Sequence, residues 1–181
     1  NVTLAEETPV YVVFVHEGAG WKNTLGYYAY PADNPPSTIE ELQKHVVFPN
    51  TSMEGSGGAL VPGDMVQLGD GSFPANTVIG FYLIAQGWAN GQMVDGLYTH
   101  YTNTEFNPNN YQQNVLFVEN GCGDMVLAFE DIRITGGDKD FNDVIFVVKD
   151  NPDQIPNTKF DLEGIVQINI VDEGTDDGNN E

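Results

Sequence analysis

Eight short runs rich in β-branched and aromatic residues punctuate this chain: Val10 to Val15, Leu25 to Tyr30, Met65 to Leu68, Thr77 to Ala85, Val115 to Val118, Met125 to Phe129, Val144 to Val148 and Ile165 to Val171. Each is bounded by Gly, Pro, Asn or Asp, the residues that end strands and build turns. Runs of this length are too short for buried helices and suit strands of an all-β fold. Within Thr77 to Ala85, Ile79, Phe81 and Leu83 fall on one face and Val78, Tyr82 and Ile84 on the other. A strand apolar on both faces belongs in the middle of a packed sheet, so the expected architecture is a two-sheet β-sandwich.

At 181 residues the chain suits one domain, which we place at residues 1–171. Residues 172–181, DEGTDDGNNE, have no apolar group and are expected to form an acidic linker or disordered tail. One short helix is expected after Pro35 and Pro36, where Ser37 and Thr38 precede Glu40 and Glu41 in capping-box spacing. Ile39, Leu42 and Val46 would give it an apolar stripe of roughly two turns.

The 27 acidic and 6 basic residues leave a net charge of -21, which repels nucleic acid and anionic lipid and argues against both as partners. No apolar run approaches the length of a membrane span, so direct membrane insertion is not expected either. The single Cys122 excludes an intrachain disulfide. A chain opening at Asn1 without Met or a signal segment is expected of a module from a longer secreted protein.

The segment Phe129 to Phe146, FEDIRITGGDKDFNDVIF, gathers Glu130, Asp131, Asp138, Asp140, Asn142 and Asp143 around one reversal of the chain. Its five carboxylates face only Arg133 and Lys139 and would repel one another in an empty loop. Calcium, with roughly six to eight oxygen ligands drawn from carboxylates, amides and carbonyls, resolves that conflict. Asp138, Asp140 and Asn142 alternate as in the opening of an EF-hand loop, yet Asp143 stands where its glycine belongs and Lys149 where its glutamate belongs. The flanking runs are strands, so the loop is expected to cap a β-hairpin, with Gly136 and Gly137 providing backbone freedom and Glu130 and Asp131 arriving from the opposite strand. The plainer reading is an exposed acidic tip in which Asp131 or Asp143 hydrogen-bonds backbone amides to shape the turn.

Other features point to structure. His16, His45 and His100 are isolated, without zinc-ligand spacing, and are assigned to packing or surface roles. Cys122 lies in NGCGD with no partner base, and neither a nucleophile elbow nor a phosphate-cradling loop occurs, so no enzyme activity is expected. Asp64 and Asp70 sit in Gly-Asp turns and are left out of the ligand set. The polar stretch Thr102 to Gln113 is either a solvated connector or, if folded beside the hairpin, a binding surface with Tyr101 and Tyr111 as pocket walls.

The segment FEDIRITGGDKDFNDVIF closely resembles the signature of a domain-of-unknown-function class found in giant bacterial surface adhesins. WKNTLGYYAY (Trp21 to Tyr30), FPANTVIGFYLIAQGW (Phe73 to Trp88) and YTNTEFNPNNYQQNVLFVE (Tyr101 to Glu119) resemble its other segments in order. Within that class the chain is most similar to calcium-dependent peptide-binding domains of RTX adhesins. The resemblance implies a secreted cell-surface adhesion module that captures peptide or protein C-termini on other cells, working as a single copy within a larger chain. It implies Ca²⁺ held by Asp138, Asp140, Asn142 and Asp143, backed by Glu130 and Asp131. The partner's carboxylate would complete the ion's shell, aided by amides around Gly136 and Gly137. Two other readings stay open: a calcium lectin that chelates glycan hydroxyls, and a spacer that calcium only rigidifies.

Overall fold

The computed structural model describes residues 1–169, apart from Ile134, Gly137, Asp138 and Gln154. The expected tail at 172–181 therefore lies outside the described residues, as do the candidate residues Gly137 and Asp138.

The strands are β1 (Val2–Leu4), β2 (Tyr11–His16), β3 (Thr24–Pro31), β4 (His45–Phe48), β5 (Met65–Gln67), β6 (Thr77–Ala85) and β7 (Trp88–Ala89). They continue with β8 (Gln92–Met93), β9 (Tyr98–Tyr101), β10 (Asn114–Glu119), β11 (Asp124–Phe129), β12 (Val144–Lys149), β13 (Phe160–Asp161) and β14 (Val166–Ile168). One six-stranded sheet runs β13-β1-β6-β3-β4, with β9 also on β6; a second runs β14-β10-β11-β12-β2-β5, and β7 pairs with β8. The all-β expectation holds.

All eight anticipated runs contain strands, and β6 is the central strand its two-faced pattern required. Ile79, Phe81 and Leu83 enter the main core with Phe14, Leu127, Phe129 and Phe146 of the second sheet. The Phe81 and Phe146 rings meet across the sheets with centroids 5.1 Å apart. On the other face of β6, Tyr82 joins Tyr28, Tyr101 and Phe106 in a smaller aromatic cluster. Tyr28 lies flat against Gly80, where any Cβ would displace the ring.

The expected two-turn helix is a correction. That stretch forms a single 3-10 turn, Ile39–Glu41, and Thr38 makes no side-chain cap. The Glu41 carboxylate instead accepts a hydrogen bond from the Ser37 N–H at 2.7 Å. Leu42 is already extended, because the chain must enter β4, where Val46 pairs with Gly26 of β3. Sheet pairing thus takes Val46 away from the stripe assigned to the helix. Among the described residues no helix is long and apolar enough to cross a membrane.

Candidate metal and ligand site

Strands β11 and β12 pair antiparallel from Phe129↔Val144 to Met125↔Val148, so the acidic segment caps a hairpin as expected. At its mouth lies a cavity of about 370 Å³, lined by Glu130, Asp131, Asp140, Asn142 and Asp143 together with Gly18, Trp21 and Gly136. Five of the six sequence-predicted oxygen donors therefore share one hollow, the sixth being Asp138.

The donors differ in how they are held. Glu130 and Asp131 are almost fully buried, whereas Asp140 is exposed. The Asp131 carboxylate accepts a hydrogen bond from Asn23 Nδ2 at 2.7 Å, and the Asp131 N–H donates to Asp143 Oδ2 at 2.7 Å. The latter bond is the turn-shaping role foreseen for Asp143. Asn142 donates from its backbone and its amide to the two oxygens of Asp140, at 3.3 and 2.5 Å. Gly18 approaches so closely that a Cβ there would sit 2.7 Å from Asn142 Oδ1, and its N–H donates to the Asn142 carbonyl at 3.0 Å.

Behind the cavity, three successive carbonyls are fixed from outside the hairpin. Gln113 Nε2 donates to the carbonyls of Glu130 and Ile132 at 3.3 and 3.0 Å, while His100 Nε2 meets that of Asp131 at 2.8 Å. A carbonyl only accepts, so Nε2 carries the imidazole proton. Burial, the largest cause, and Arg133 both lower the His100 pKa, which keeps the ring neutral. Asn23 is fixed in turn, its Oδ1 accepting from the Gln86 N–H at 3.0 Å. Asn23 and Gln113 were not singled out from sequence, and His100 was assigned only to packing or the surface; their only signal is polarity beside apolar runs.

The electrostatics follow from this packing. Burial pushes the Asp131 carboxyl up to about 7, and the charges of Asp143 and Glu130 push the same way against the Asn23 hydrogen bond. The donors are all oxygens, the set a hard cation takes. Among the described residues, no three His, Cys, Asp or Glu side chains are already gathered tightly enough to hold a metal ion. The carboxylates thus ring the cavity without closing on one point.

Tyr101 and Tyr111 do not line this cavity. They line a neighbouring groove of about 290 Å³, whose wall includes His100, Gln113 and Arg133. Elsewhere, Asp64 accepts from the Val61 N–H at 2.9 Å, a turn contact in keeping with its exclusion. Partial burial and Glu119 raise the exposed Cys122 thiol to about 11, which keeps it from being a thiolate nucleophile at neutral pH.

Residues 73–151, less than half of the 181-residue chain, match a domain of unknown function, DUF4114. The matched stretch holds β6 to β12 and the whole acidic hairpin. No curated protein and no solved structure matches the chain.

Proposed function

We propose that this chain is a non-enzymatic, calcium-dependent adhesion module of a secreted bacterial surface adhesin, which binds the C-terminal carboxylate of partner peptides at the hairpin cavity. One observation carries the reading: Asp131 is buried against Asp143 and Glu130 at a cavity whose remaining polar lining is oxygen-bearing. Burying like charges together is costly unless a proton or a cation joins them. Glu130, Asp131, Asp140, Asn142 and Asp143 are the holding residues. His100 and Gln113 keep the Glu130–Ile132 backbone in place beneath them, and Asn23 holds the Asp131 carboxylate.

Bound there, Ca²⁺ would supply a Lewis-acidic vertex that converts an acidic surface into a receptor for an anion. Asp140 and Asp143 would close inward, and the Gly136 side of the loop would face the ligand. A lectin site at the same cavity is the second reading, since the same vertex accepts vicinal hydroxyls.

Calorimetry with Ca²⁺ tests the first step: Asp140→Ala should weaken binding at least tenfold, while Asp161→Ala, at an exposed side chain of β13, should not change it. Equal affinities would sink the assignment. An array of free-carboxylate peptides, amidated peptides and glycans, probed with and without chelator, tests the second. Calcium-dependent retention of free carboxylates alone is expected; glycan-only retention would replace the peptide reading with the lectin one.

A further inference from the structure

Strand β9 pairs with β6 through Tyr82↔Tyr101, Leu83↔His100, Ile84↔Thr99 and Ala85↔Tyr98, and among the described residues its other edge carries no strand. In an antiparallel pair, alternate residues direct their N–H and C=O toward the partner. The Thr102 N–H to Phe81 carbonyl bond, 2.9 Å, sets the phase: Tyr98 and His100 face β6, while Thr99 and Tyr101 face outward. The outward groups of Tyr101 are met by one side chain imitating a strand. Asn107 Oδ1 accepts from the Tyr101 N–H and Asn107 Nδ2 donates to the Tyr101 carbonyl, both at 2.8 Å. Among the described residues nothing meets the next outward pair, at Thr99.

That unmet pair opens on the 290 Å³ groove, whose walls are Tyr98, Phe106, Pro108, Tyr111 and Arg133. Its volume is at the small end of ligand sites, about the size of two or three extended residues. Among its described lining residues there is no Asp or Glu, although the chain holds 27. It holds instead the chain's only arginine, whose guanidinium stacks on Tyr98 at 4.3 Å from the ring centroid. A guanidinium stacked by its face keeps its N–H edge available for a carboxylate.

We propose that the free edge of β9 receives an extended acidic peptide as an added strand, pairing with Thr99 and placing a carboxylate on Arg133. The main-chain bonds fix the strand's direction and the arginine selects charge, the division of labour common to strand addition. Asn107 closes the edge at Tyr101, so the added strand reads Thr99 alone and stays short. The inference shares only its ligand class with the calcium reading and needs no cation.

The test uses pools of pentapeptides acetylated and amidated at their ends, with or without one Asp or Glu, in chelator. Amide hydrogen exchange at Thr99 is followed by NMR. Acidic pools should slow Thr99 exchange, and Arg133→Gln, a change at an exposed side chain, should weaken them about tenfold, as loss of a charge-assisted bond does. Thr99→Pro removes an N–H that serves no partner within the fold and should abolish binding without altering the melting curve. Unchanged Thr99 exchange with every pool, equal binding of neutral pools, or full binding by folded Thr99→Pro would each overturn the proposal. If only free-carboxylate peptides bind, and only with calcium, strand addition fails while the cavity reading stands.

Discussion

Strand β12 has a buried aspartate near each end, and the two are satisfied in opposite ways. Beyond Lys149, Asp150 is buried and its carboxylate accepts from the N–H groups of Thr158 and Lys159, at 2.7 Å each, and from Asn151 Nδ2 at 2.6 Å. At the Val144 end, just past Phe129 of the paired β11, the hairpin buries Asp131, whose carboxylate has one side-chain donor among the described residues, Asn23, and two carboxylate neighbours, Asp143 and Glu130. Donors surround one charge; like charges surround the other. A carboxylate met by backbone N–H groups is a clasp that closes the return from β12 to β13. One met by carboxylates favours a proton or cation, and under the calcium proposal that difference would separate structural acidity from functional acidity in a chain with 27 acidic residues.

The comparison breaks most visibly at the clasp. Asp150→Ala removes the shared acceptor of two part-buried backbone N–H groups and is expected to cost about 3 kcal/mol, read as a lower urea midpoint. Calcium should not rescue it, and rescue would mean that the two ends are coupled. The hairpin should respond in the reverse manner. Calcium at about a hundredfold excess over its Kd adds about 2.7 kcal/mol, or roughly 5 to 10 °C in Tm for a chain of this size, and chelator removes it. An identical Tm in calcium and chelator would reduce the hairpin to an acidic tip.

Sequence reading reached the strands and the hairpin for the same reason. β6 and β12 are apolar on both faces, and a short β-branched run of that kind bounded by turn residues reads as a buried strand from local sequence. It failed where one element's choice depended on another. Ser37 to Val46 carries helix-capping chemistry, yet β3 offers an edge that Val46 joins as part of β4. The polar β9 lacked an apolar signal of its own and exists because β6 has an edge to pair. The carboxylates were legible because they are neighbours along the chain. Their supports were not: Asn23 reaches Asp131 across 108 residues and His100 across 31, and local spacing does not encode such distances.

The two aspartates also differ in what pH does to them, and that sharpens the comparison at a smaller scale. Asp131 has a raised pKa, about 7 against 3.8 in the unfolded chain, so the folded state holds the proton more tightly. Its contribution is fully present below pH 3.8 and is lost as pH rises through 7. In chelator, then, stability should decline between mildly acidic and neutral pH. Asp131→Asn, which keeps the shape and removes the charge, should flatten that decline and gain roughly 1 kcal/mol at pH 8. In calcium the parent should show proton release near pH 7 by calorimetry, because the ion displaces the proton. A parent and Asp131→Asn pair with the same slope in chelator would place the titrating group elsewhere.

The smallest expected effect isolates the cavity's shape from its charge. Gly18 contributes no donor side chain, yet a Cβ there would stand 2.7 Å from Asn142 Oδ1 and 3.3 Å from the Asn142 carbonyl oxygen. The side-chain amide can swing aside, but doing so loosens its bond to Asp140, so Gly18→Ala should cost only about 1 kcal/mol in stability. Calcium affinity should fall severalfold, because Asn142 and Asp140 would no longer be held as a pair at the rim. Nothing comparable should follow from Gly71→Ala, where a Cβ meets nothing within 4 Å. If Gly18→Ala binds calcium like the parent, Asn142 is a turn residue and not a ligand. The oxygen set would then shrink to carboxylates, and the hairpin would differ from the Asp150 clasp in charge alone.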